Sequence, residues 1–258
     1  MSYYVRAGDH AYRPTEFAGG AWNPTEVHFA PLSALLLHEV DLHRASLGEA
    51  AANLARVSFD ILGFLGQGEC TITVETIRPG RTIELVEAVA AIDGRTVVRA
   101  RAWFLAAFDT SAVAGGMPDP LPSPDAVETW PLAEGWSGGF VHSLDVRAIS
   151  RPQPGRATVW MSSPHELIEG ETVSDTAAFL RLADTANGIA VRERPTEWVF
   201  PNVDLTIHLY RQPVPGWIGL DTTVVFGGAG VGVTQTVLYD VNGPVGVAHQ
   251  ALTVRPVG

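Results

Sequence analysis

The sequence predicts an α+β fold with two similar halves, each formed by a helix and four antiparallel strands. A hairpin pattern occurs twice, with its turn at Asp93-Gly94 and again 149 positions later at Asn242-Gly243. Each hairpin follows a helix signal at a similar distance, and a segment rich in proline and glycine separates the halves. A unit that recurs at half the chain length indicates a duplicated domain. We therefore expect an N-terminal domain at residues 1–110, a linker at 111–136 and a C-terminal domain at 137–258.

The N-terminal half is predicted to contain one long helix. Residues 1–29 are expected to be irregular or to hold a short strand. Pro31 starts an apolar segment, and proline in the first turn before good helix formers is a start signal. The segment is apolar on nearly all sides, so the helix is expected to be buried and to reach about Ala52. Alternating β-branched residues then predict strands at 57–61 and 70–77, followed by the first hairpin.

The C-terminal half repeats this order. Residue alternation predicts strands at 140–147 and 157–161. The segment 172–175 is expected to cap a helix that reaches about Asn187, with Gly188 as its end. The four strands after this helix are predicted at residues 205–211, 217–226, 231–239 and 244–254. A buried helix followed by antiparallel strands favours a sheet wrapped over the helix.

Composition excludes several classes of function. The 17 basic and 28 acidic residues give a net charge of −11, which argues against a nucleic-acid partner because such proteins need clustered basic residues. The chain has no apolar run long enough to span a membrane and no signal-peptide pattern. The single cysteine, Cys70, fits a reducing compartment. We expect a soluble, cytoplasmic protein that can still bind a small anionic ligand in a local pocket.

Three local motifs are better explained as structural features. The segment 135–139 has the G-x-S-x-G pattern, but a proline-rich linker precedes it and a predicted strand follows, whereas a nucleophile elbow lies between a strand and a helix. His38 and His43 are five residues apart and would point to different faces of a helix, which does not suit zinc. The glycine-rich segment 227–232 leads into a strand rather than a helix, so it is no dinucleotide fingerprint. We predict no metal site and no bound cofactor.

Two polar side chains in the C-terminal strands are candidates for catalysis. Asp204 lies at the start of a predicted strand, and a carboxylate in such a place can act as a general base on water. Gln250 lies in the last predicted strand, where its amide can orient that water or donate to a developing oxyanion. The alternative is that Asp204 caps its strand and Gln250 faces solvent.

An ordered set of segments resembles the double hot-dog acyl-CoA thioesterases, the thioesterase II or TesB-like family. The similarity covers nearly the whole chain, and its strength comes from the order of the segments rather than from any one motif. These segments are Val57–Asp60, Val74–Arg81, Ala183-Asp184, Val203–His208, Arg211 and Ala248–Gln250.

This resemblance implies a tandem double hot-dog, in which each half is a curved antiparallel sheet around a long buried helix. It also implies thioester hydrolysis by an Asp, a Gln and a Thr that position and activate water, without metal, cofactor or covalent intermediate. The Asp carries over to Asp204 and the Gln to Gln250. The Thr does not carry over, because alignment from Trp217 onward places Val225 there. Thr223, two residues earlier on the same predicted strand face, and Thr206, on the same face as Asp204, are the candidate substitutes.

The sequence leaves other functions open. A protein without the family Thr can be a slow thioesterase or an acyl-CoA-binding or lipid-binding protein without turnover. A hot-dog enoyl-CoA hydratase is a third reading, since segment 22–28 faintly resembles a hydratase element. The expected partner is a small acyl-CoA, whose phosphates would contact Arg78, Arg81 or Arg211 by charge. Whether the chain forms a homo-oligomer is left open.

Overall fold

The computed structural model describes residues 1–48 and 52–258 and has an α+β architecture dominated by one antiparallel sheet. The N-terminal half contains β1 Ser2–Gly8, β2 Ala11–Pro14, α1 Phe29–Ser46, β3 Ala52–Ile61, β4 Cys70–Arg78, β5 Ile83–Ile92 and β6 Arg95–Ala106. The C-terminal half contains α2 Gly139–His142, β7 Asp145–Ala148, β8 Arg156–Ser162, β9 Glu166–Ile168, α3 Asp175–Leu180, α4 Ala186–Ile189, β10 Trp198–Val199, β11 Asp204–Leu209, β12 Ile218–Phe226, β13 Val231–Asp240, β14 Gly243–Thr253 and β15 Arg255–Pro256.

Thirteen of these strands form a single sheet in the order β7-β8-β12-β13-β14-β11-β3-β6-β5-β4-β2-β1-β9. The order is symmetric about the central antiparallel pair of β11 and β3. Outward from β3 come β6, β5 and β4, and outward from β11 come β14, β13 and β12. Both halves therefore use the same strand arrangement, and the β3–β11 pairing joins them into one continuous sheet.

The helix α1 packs against β4 and β5 of the N-terminal half. Its first twelve residues, Phe29–Val40, are all buried, as expected for a segment that is apolar on every side. The helix begins two residues before the predicted start at Pro31, because the side chain of His28 supplies its N-cap. It ends at Ser46 rather than near Ala52, and residues 49–51 of the predicted extension lie outside the described residues.

The C-terminal helix is interrupted, which the sequence did not predict. The helix α3 ends at Leu180, a 3₁₀ turn covers Ala183–Thr185, and α4 follows directly. The N-cap of α3 is Ser174, which lies within the predicted capping segment. The Ser174 hydroxyl accepts a hydrogen bond from the N–H of Ala177. Gly188 lies inside α4 rather than at its end.

Three other local features differ from the predictions. The predicted strand at 140–147 is half helix, since α2 covers Gly139–His142 and only β7 is extended. The first residues form the hairpin β1–β2, where an irregular segment or a short strand was expected. In the second hairpin turn only Gly243 has a positive φ, whereas both Asp93 and Gly94 do in the first. No helix within residues 1–48 and 52–258 has the length and apolar character needed to cross a membrane.

Candidate functional site

The interruption of the C-terminal helix places a carboxylate inside the protein. Asp184 sits in the 3₁₀ turn, which Thr185 stabilises by donating its hydroxyl to the carbonyl of Leu182 at 2.9 Å. The Asp184 residue is only 4% exposed. A carboxylate buried to this degree needs hydrogen-bond partners, so the residues that surround it define the site.

Two side-chain amides hold one oxygen of this carboxylate. The Nδ2 of Asn202 donates to Asp184 Oδ1 at 2.8 Å, and the Nε2 of Gln250 donates to the same oxygen at 2.8 Å. Asn202 comes from the segment before β11 and Gln250 from β14, so two neighbouring strands present amides to one helix residue. The other oxygen, Oδ2, has no hydrogen-bond donor among the described residues.

A shift in strand register brings Asn202 to this face of the sheet. In β11, Thr206 lies opposite His249, whereas Asn202 forms an isolated bridge with Leu252 rather than with Thr253. The shift of one residue reverses which side chains point inward. It also leaves the N–H of Ala251 free to donate to the Asp204 carboxylate at 2.6 Å. The Asp204 carboxylate therefore accepts the backbone N–H that the register shift leaves unpaired, and the Asn202 side chain points towards Asp184.

Gln250 faces the interior together with Thr234 and Val224. These three residues are directly opposite one another on β14, β13 and β12. The Oε1 of Gln250 and the hydroxyl of Thr234 are fully buried and have no hydrogen-bond partner in the described structure. Because buried polar atoms are nearly always partnered, these two atoms are candidates to bind water or substrate.

His28, at the N-terminus of α1, lies on the other side of Asp184. Its Nδ1 accepts a hydrogen bond from the N–H of Ala30 at 3.1 Å and is 4.0 Å from Asp184 Oδ2. Burial lowers the pKa of His28 to about 3, so the imidazole is neutral and carries its proton on Nε2. The ring stacks on Phe140 with centroids 4.1 Å apart, which fixes its orientation.

The environment raises the pKa of the Asp184 carboxyl to about 7. Burial is the main cause, and the negative charge of Asp204 acts in the same direction. The hydrogen bonds from Asn202 and Gln250 oppose this shift because they favour the ionised form. A carboxyl group with this pKa exchanges a proton near neutral pH, which is the property required of a general base.

A cavity of about 210 Å³ opens onto this group. Its wall includes Asp184, Asn202 and His28, together with residues of the loops around Trp22 and Phe64. The loops belong to the N-terminal half and the carboxylate to the C-terminal half, so the site lies between the two. The arrangement combines a titratable carboxylate, amide groups that fix it, and space for a ligand.

Of the residues predicted from sequence, only Gln250 takes part in this arrangement. Asp204 lies on the opposite face of the sheet, its carboxylate engaged with the Ala251 N–H, and it influences Asp184 through charge. Thr223 lies opposite Gln235, away from the Gln250 face, and Val225 is 62% exposed on the same outer side. The predicted trio of Asp204, Gln250 and Thr223 is therefore not brought together.

Sequence reasoning assigned no catalytic role to three residues of the site, although Ala183-Asp184 was among the segments that resemble the family. Asp184 was visible as a lone acid within an apolar helical segment, and Asn202 as a polar residue just ahead of a strand. No sequence signal indicates the register shift that turns Asn202 inward. His28 lies within segment 22–28, but its role as a helix cap depended on the true start of α1.

Two of the three arginines predicted to contact the ligand, Arg211 and Arg78, have partners within the protein. The Arg211 guanidinium makes two hydrogen bonds of 2.7 Å to the buried carboxylate of Asp240. Arg78 donates to the carbonyl of Ile83. Within residues 1–48 and 52–258, no cluster of three or more His, Cys, Asp or Glu side chains is arranged to hold a metal ion.

Comparison with known proteins matches each half of the chain to one domain model. A family model described as the acyl-CoA thioesterase C-terminal domain matches residues 124–254, and the corresponding N-terminal domain model matches residues 19–105. A search of curated proteins gave no match.

Several solved structures share the fold at low sequence identity. A putative thioesterase from Novosphingobium aromaticivorans is 20% identical with a TM-score of 0.74, covering 99% of both chains. A putative thioesterase II from Thermobifida fusca is 19% identical with a TM-score of 0.72, covering 98% of this chain and 95% of that one. The acyl-CoA thioesterase II TesB2 from Mycobacterium marinum is 16% identical with a TM-score of 0.66, covering 99% and 95%. The two domain models together show that this chain belongs to the acyl-CoA thioesterase family.

Proposed function

We propose that the protein hydrolyses acyl-CoA thioesters with a water molecule activated by Asp184. The observation that carries the proposal is the asymmetry of this carboxylate. Oδ1 is fixed by the amides of Asn202 and Gln250, while Oδ2 has no donor in the described residues and faces the cavity. A carboxylate that is held by one oxygen and free at the other can bind and deprotonate water.

The reaction needs no metal and no cofactor. Asp184 Oδ2 takes a proton from water while the water oxygen bonds to the thioester carbonyl carbon, and the carbonyl π electrons move to oxygen. The tetrahedral intermediate then collapses, the C–S bond breaks, and the thiolate of coenzyme A takes the proton back from Asp184. The products are a carboxylic acid and free coenzyme A, and the enzyme returns to its starting state.

Two donors near Asp184 are suited to the developing oxyanion. The N-terminus of α1 offers few free donors, because Pro31 has no N–H and the N–H of Ala30 is bound by His28. The Phe29 N–H has no acceptor among the described residues, and Phe29 lines the same cavity. The neutral His28 adds its Nε2–H. Preorganised donors of this kind supply a large share of acyl-transfer catalysis.

Asn202 supplies the third polar group of the site. The family resemblance implies an Asp, a Gln and a Thr, and the structure has an Asp with two amides. An amide N–H can hold a carboxylate as a hydroxyl does, so the absence of a Thr does not leave Asp184 without support. We infer that each half of the chain is one hot-dog unit, and that Asn202 takes the place of the Thr.

Hydration of an enoyl-CoA is the second candidate, because His28 and Asp184 form an acid–imidazole pair. Such a reaction needs an imidazole that can accept or deliver a proton. His28 Nδ1 is already occupied by the Ala30 N–H, and its low pKa keeps Nε2 protonated. These two facts favour hydrolysis, in which His28 needs only to donate a hydrogen bond.

The test is thiol release from acyl-CoAs of graded chain length by wild type, Asp184→Asn and Asp204→Asn. We expect Asp184→Asn to lose ~10³-fold in kcat because the base is gone. Asp204→Asn should retain most of the activity, since the asparagine Oδ1 still accepts from the Ala251 N–H. Loss confined to Asp204→Asn would contradict the proposal. Binding without turnover by wild type would instead identify a binding protein, and water addition to an enoyl-CoA a hydratase.

A further inference from the structure

A row of three cavities leads away from Asp184 towards a groove on the C-terminal half. The first is the site cavity of about 210 Å³. The second holds only about 20 Å³ and shares Trp22, His28 and Asn187 with the first. The third is a groove of about 510 Å³ that shares Leu132, Trp136 and Gly188 with the second. The narrow middle cavity therefore separates two larger spaces.

Two tryptophans form the wall at this narrow point. The rings of Trp22 and Trp136 meet edge to face with centroids 4.8 Å apart, and Trp22 also packs against Phe200 at 4.9 Å. The indole N–H of Trp136 donates to the carbonyl of Gly188 at 3.0 Å, which anchors the ring to α4. The remaining space has room for about one water molecule and none for an alkyl chain.

The lining of the groove suits a hydrocarbon chain rather than coenzyme A. Among the described residues that line it, none is Lys or Arg and only Glu134 is charged. The phosphates of coenzyme A require positive charge, so an acidic groove disfavours them. The remaining wall is largely apolar: Trp130, Pro131, Leu132, Trp136, Pro152, Pro154, Ile189, Val191 and Pro195.

We propose that Trp136 is the end wall of the acyl site and restricts this enzyme to short acyl chains. The inference rests on the proposed hydrolysis at Asp184, which fixes where the thioester carbonyl must lie. From that point the acyl chain runs towards the middle cavity and stops against the Trp22–Trp136 pair. Removal of the Trp136 ring would join the site cavity to the groove and admit a long chain.

The experiment measures kcat/KM for acetyl-, butyryl-, hexanoyl-, octanoyl- and palmitoyl-CoA with wild type and Trp136→Ala. Wild type should prefer the short substrates. Trp136→Ala should raise the ratio of kcat/KM on palmitoyl-CoA to kcat/KM on butyryl-CoA ~10-fold or more, because added apolar contacts are worth at least that much. Thermal unfolding reports whether the variant is folded. Trp136→Leu, which keeps apolar volume, serves if the alanine variant does not fold.

Two further variants make the result specific. Trp130→Ala removes a tryptophan from the groove but not from the narrow point, so its chain-length profile should match that of wild type. A Cβ on Gly188 would lie 3.8 Å from the Trp136 ring, an ordinary contact. Adding Gly188→Leu to Trp136→Ala should therefore refill the passage and restore the short-chain preference.

Distinct outcomes separate this inference from the function it rests on. A wild type that already prefers palmitoyl-CoA overturns it, as does a Trp136→Ala profile that changes equally at all lengths or not at all. If wild type hydrolyses none of the substrates, the proposed function fails. The length limit is then decided by binding of non-hydrolysable acyl-CoA thioethers of the same lengths, where Trp136→Ala should again favour the long chain.

Discussion

Each half of the molecule places a helix carboxylate next to the N-cap of the other half's helix, but the two carboxylates differ in their environment. In the N-terminal half, Asp41 of α1 accepts a hydrogen bond of 2.6 Å from the hydroxyl of Ser174, the N-cap of α3. In the C-terminal half, Asp184 lies 4.0 Å from Nδ1 of His28, the N-cap of α1. The site at Asp41 is closed, because the N-cap donates a hydrogen bond to the carboxylate. The site at Asp184 is open, because the N-cap donates none.

The capping atoms explain the difference. A hydroxyl can accept and donate at the same time, so Ser174 binds the N–H of Ala177 and also donates to Asp41. The neutral imidazole nitrogen of His28 can only accept, and its lone pair is used by the N–H of Ala30. His28 Nδ1 therefore cannot donate a hydrogen bond to Asp184, and Asp184 Oδ2 remains able to accept one from a ligand or water.

The surrounding charges follow the same division. Burial raises the pKa of Asp41 above its ordinary value, and the Ser174 hydrogen bond and the charges of His38 and Arg44 oppose this rise. For Asp184, the opposing groups are the amide donors of Asn202 and Gln250, and no cation contributes. The negative charge of Asp204 raises the pKa of Asp184 further. A buried carboxylate is a structural element where it is compensated and a reactive group where it is not.

The largest effect expected from this comparison is on stability. Folded Asp184 has a pKa of about 7 against an unfolded value of about 3.9, so the folded state binds more protons between these values and stability falls as pH rises through this range. Asp184→Asn removes this penalty. We expect it to raise the free energy of unfolding by about 4 kcal/mol at pH 8 and by about 1.5 kcal/mol at pH 5.

Urea denaturation of wild type and Asp184→Asn at pH 8 and pH 5 measures this difference in the free energy of unfolding. Asp41→Asn is the matched control, because Asn Oδ1 still accepts from Ser174. An Asp184→Asn variant that is no more stable than wild type at pH 8 would contradict the open character of this carboxylate.

A smaller effect is expected at the closed site. Ser174→Ala removes both the N-cap of α3 and the donor to Asp41. The loss of a cap and of a hydrogen bond to a buried carboxylate should lower the free energy of unfolding by about 1–2 kcal/mol. Activity should stay unchanged, since Ser174 is not part of the cavity at Asp184. Thermal unfolding and thiol-release assays together test this, and a large loss of activity in the folded variant would show that the two sites are coupled.

The sequence predicted the repeated strands of this protein far better than its site. Strands β3 to β6 and β11 to β14 are set by local alternation and by hairpin turns, which are readable within a few residues. The site depends on a helix break before Asp184 and on a register shift before Asp204. Both features arise from contacts between elements, and neither has a local signature.

The error at Asp204 illustrates the point. Period-two alternation in a regular strand places Asn202 and Asp204 on one face. The one-residue shift separates them, so the acid at the strand start becomes a backbone acceptor and the amide before it becomes a site residue. Gln250 was found through the family resemblance, and the regular pairing of β14 with β13 around it places its side chain in the interior.

The finest test of the open site is the pH dependence of its activity, because two neighbours act on the Asp184 pKa in opposite directions. Activity requires ionised Asp184, so kcat/KM of wild type should fall as pH drops below about 7. Asp204→Asn removes a negative charge and should move this acid limb to lower pH with the plateau unchanged. Asn202→Leu removes a hydrogen bond that favours the ionised form, so the limb should move to higher pH and the plateau should fall ~10²-fold.

Opposite shifts in the two variants assign the limb to Asp184 itself, since no other group has both Asn202 and Asp204 as modifiers of its pKa among the described residues. Shifts in the same direction, or a limb that neither variant moves, would assign the titration to another group and remove Asp184 as the base.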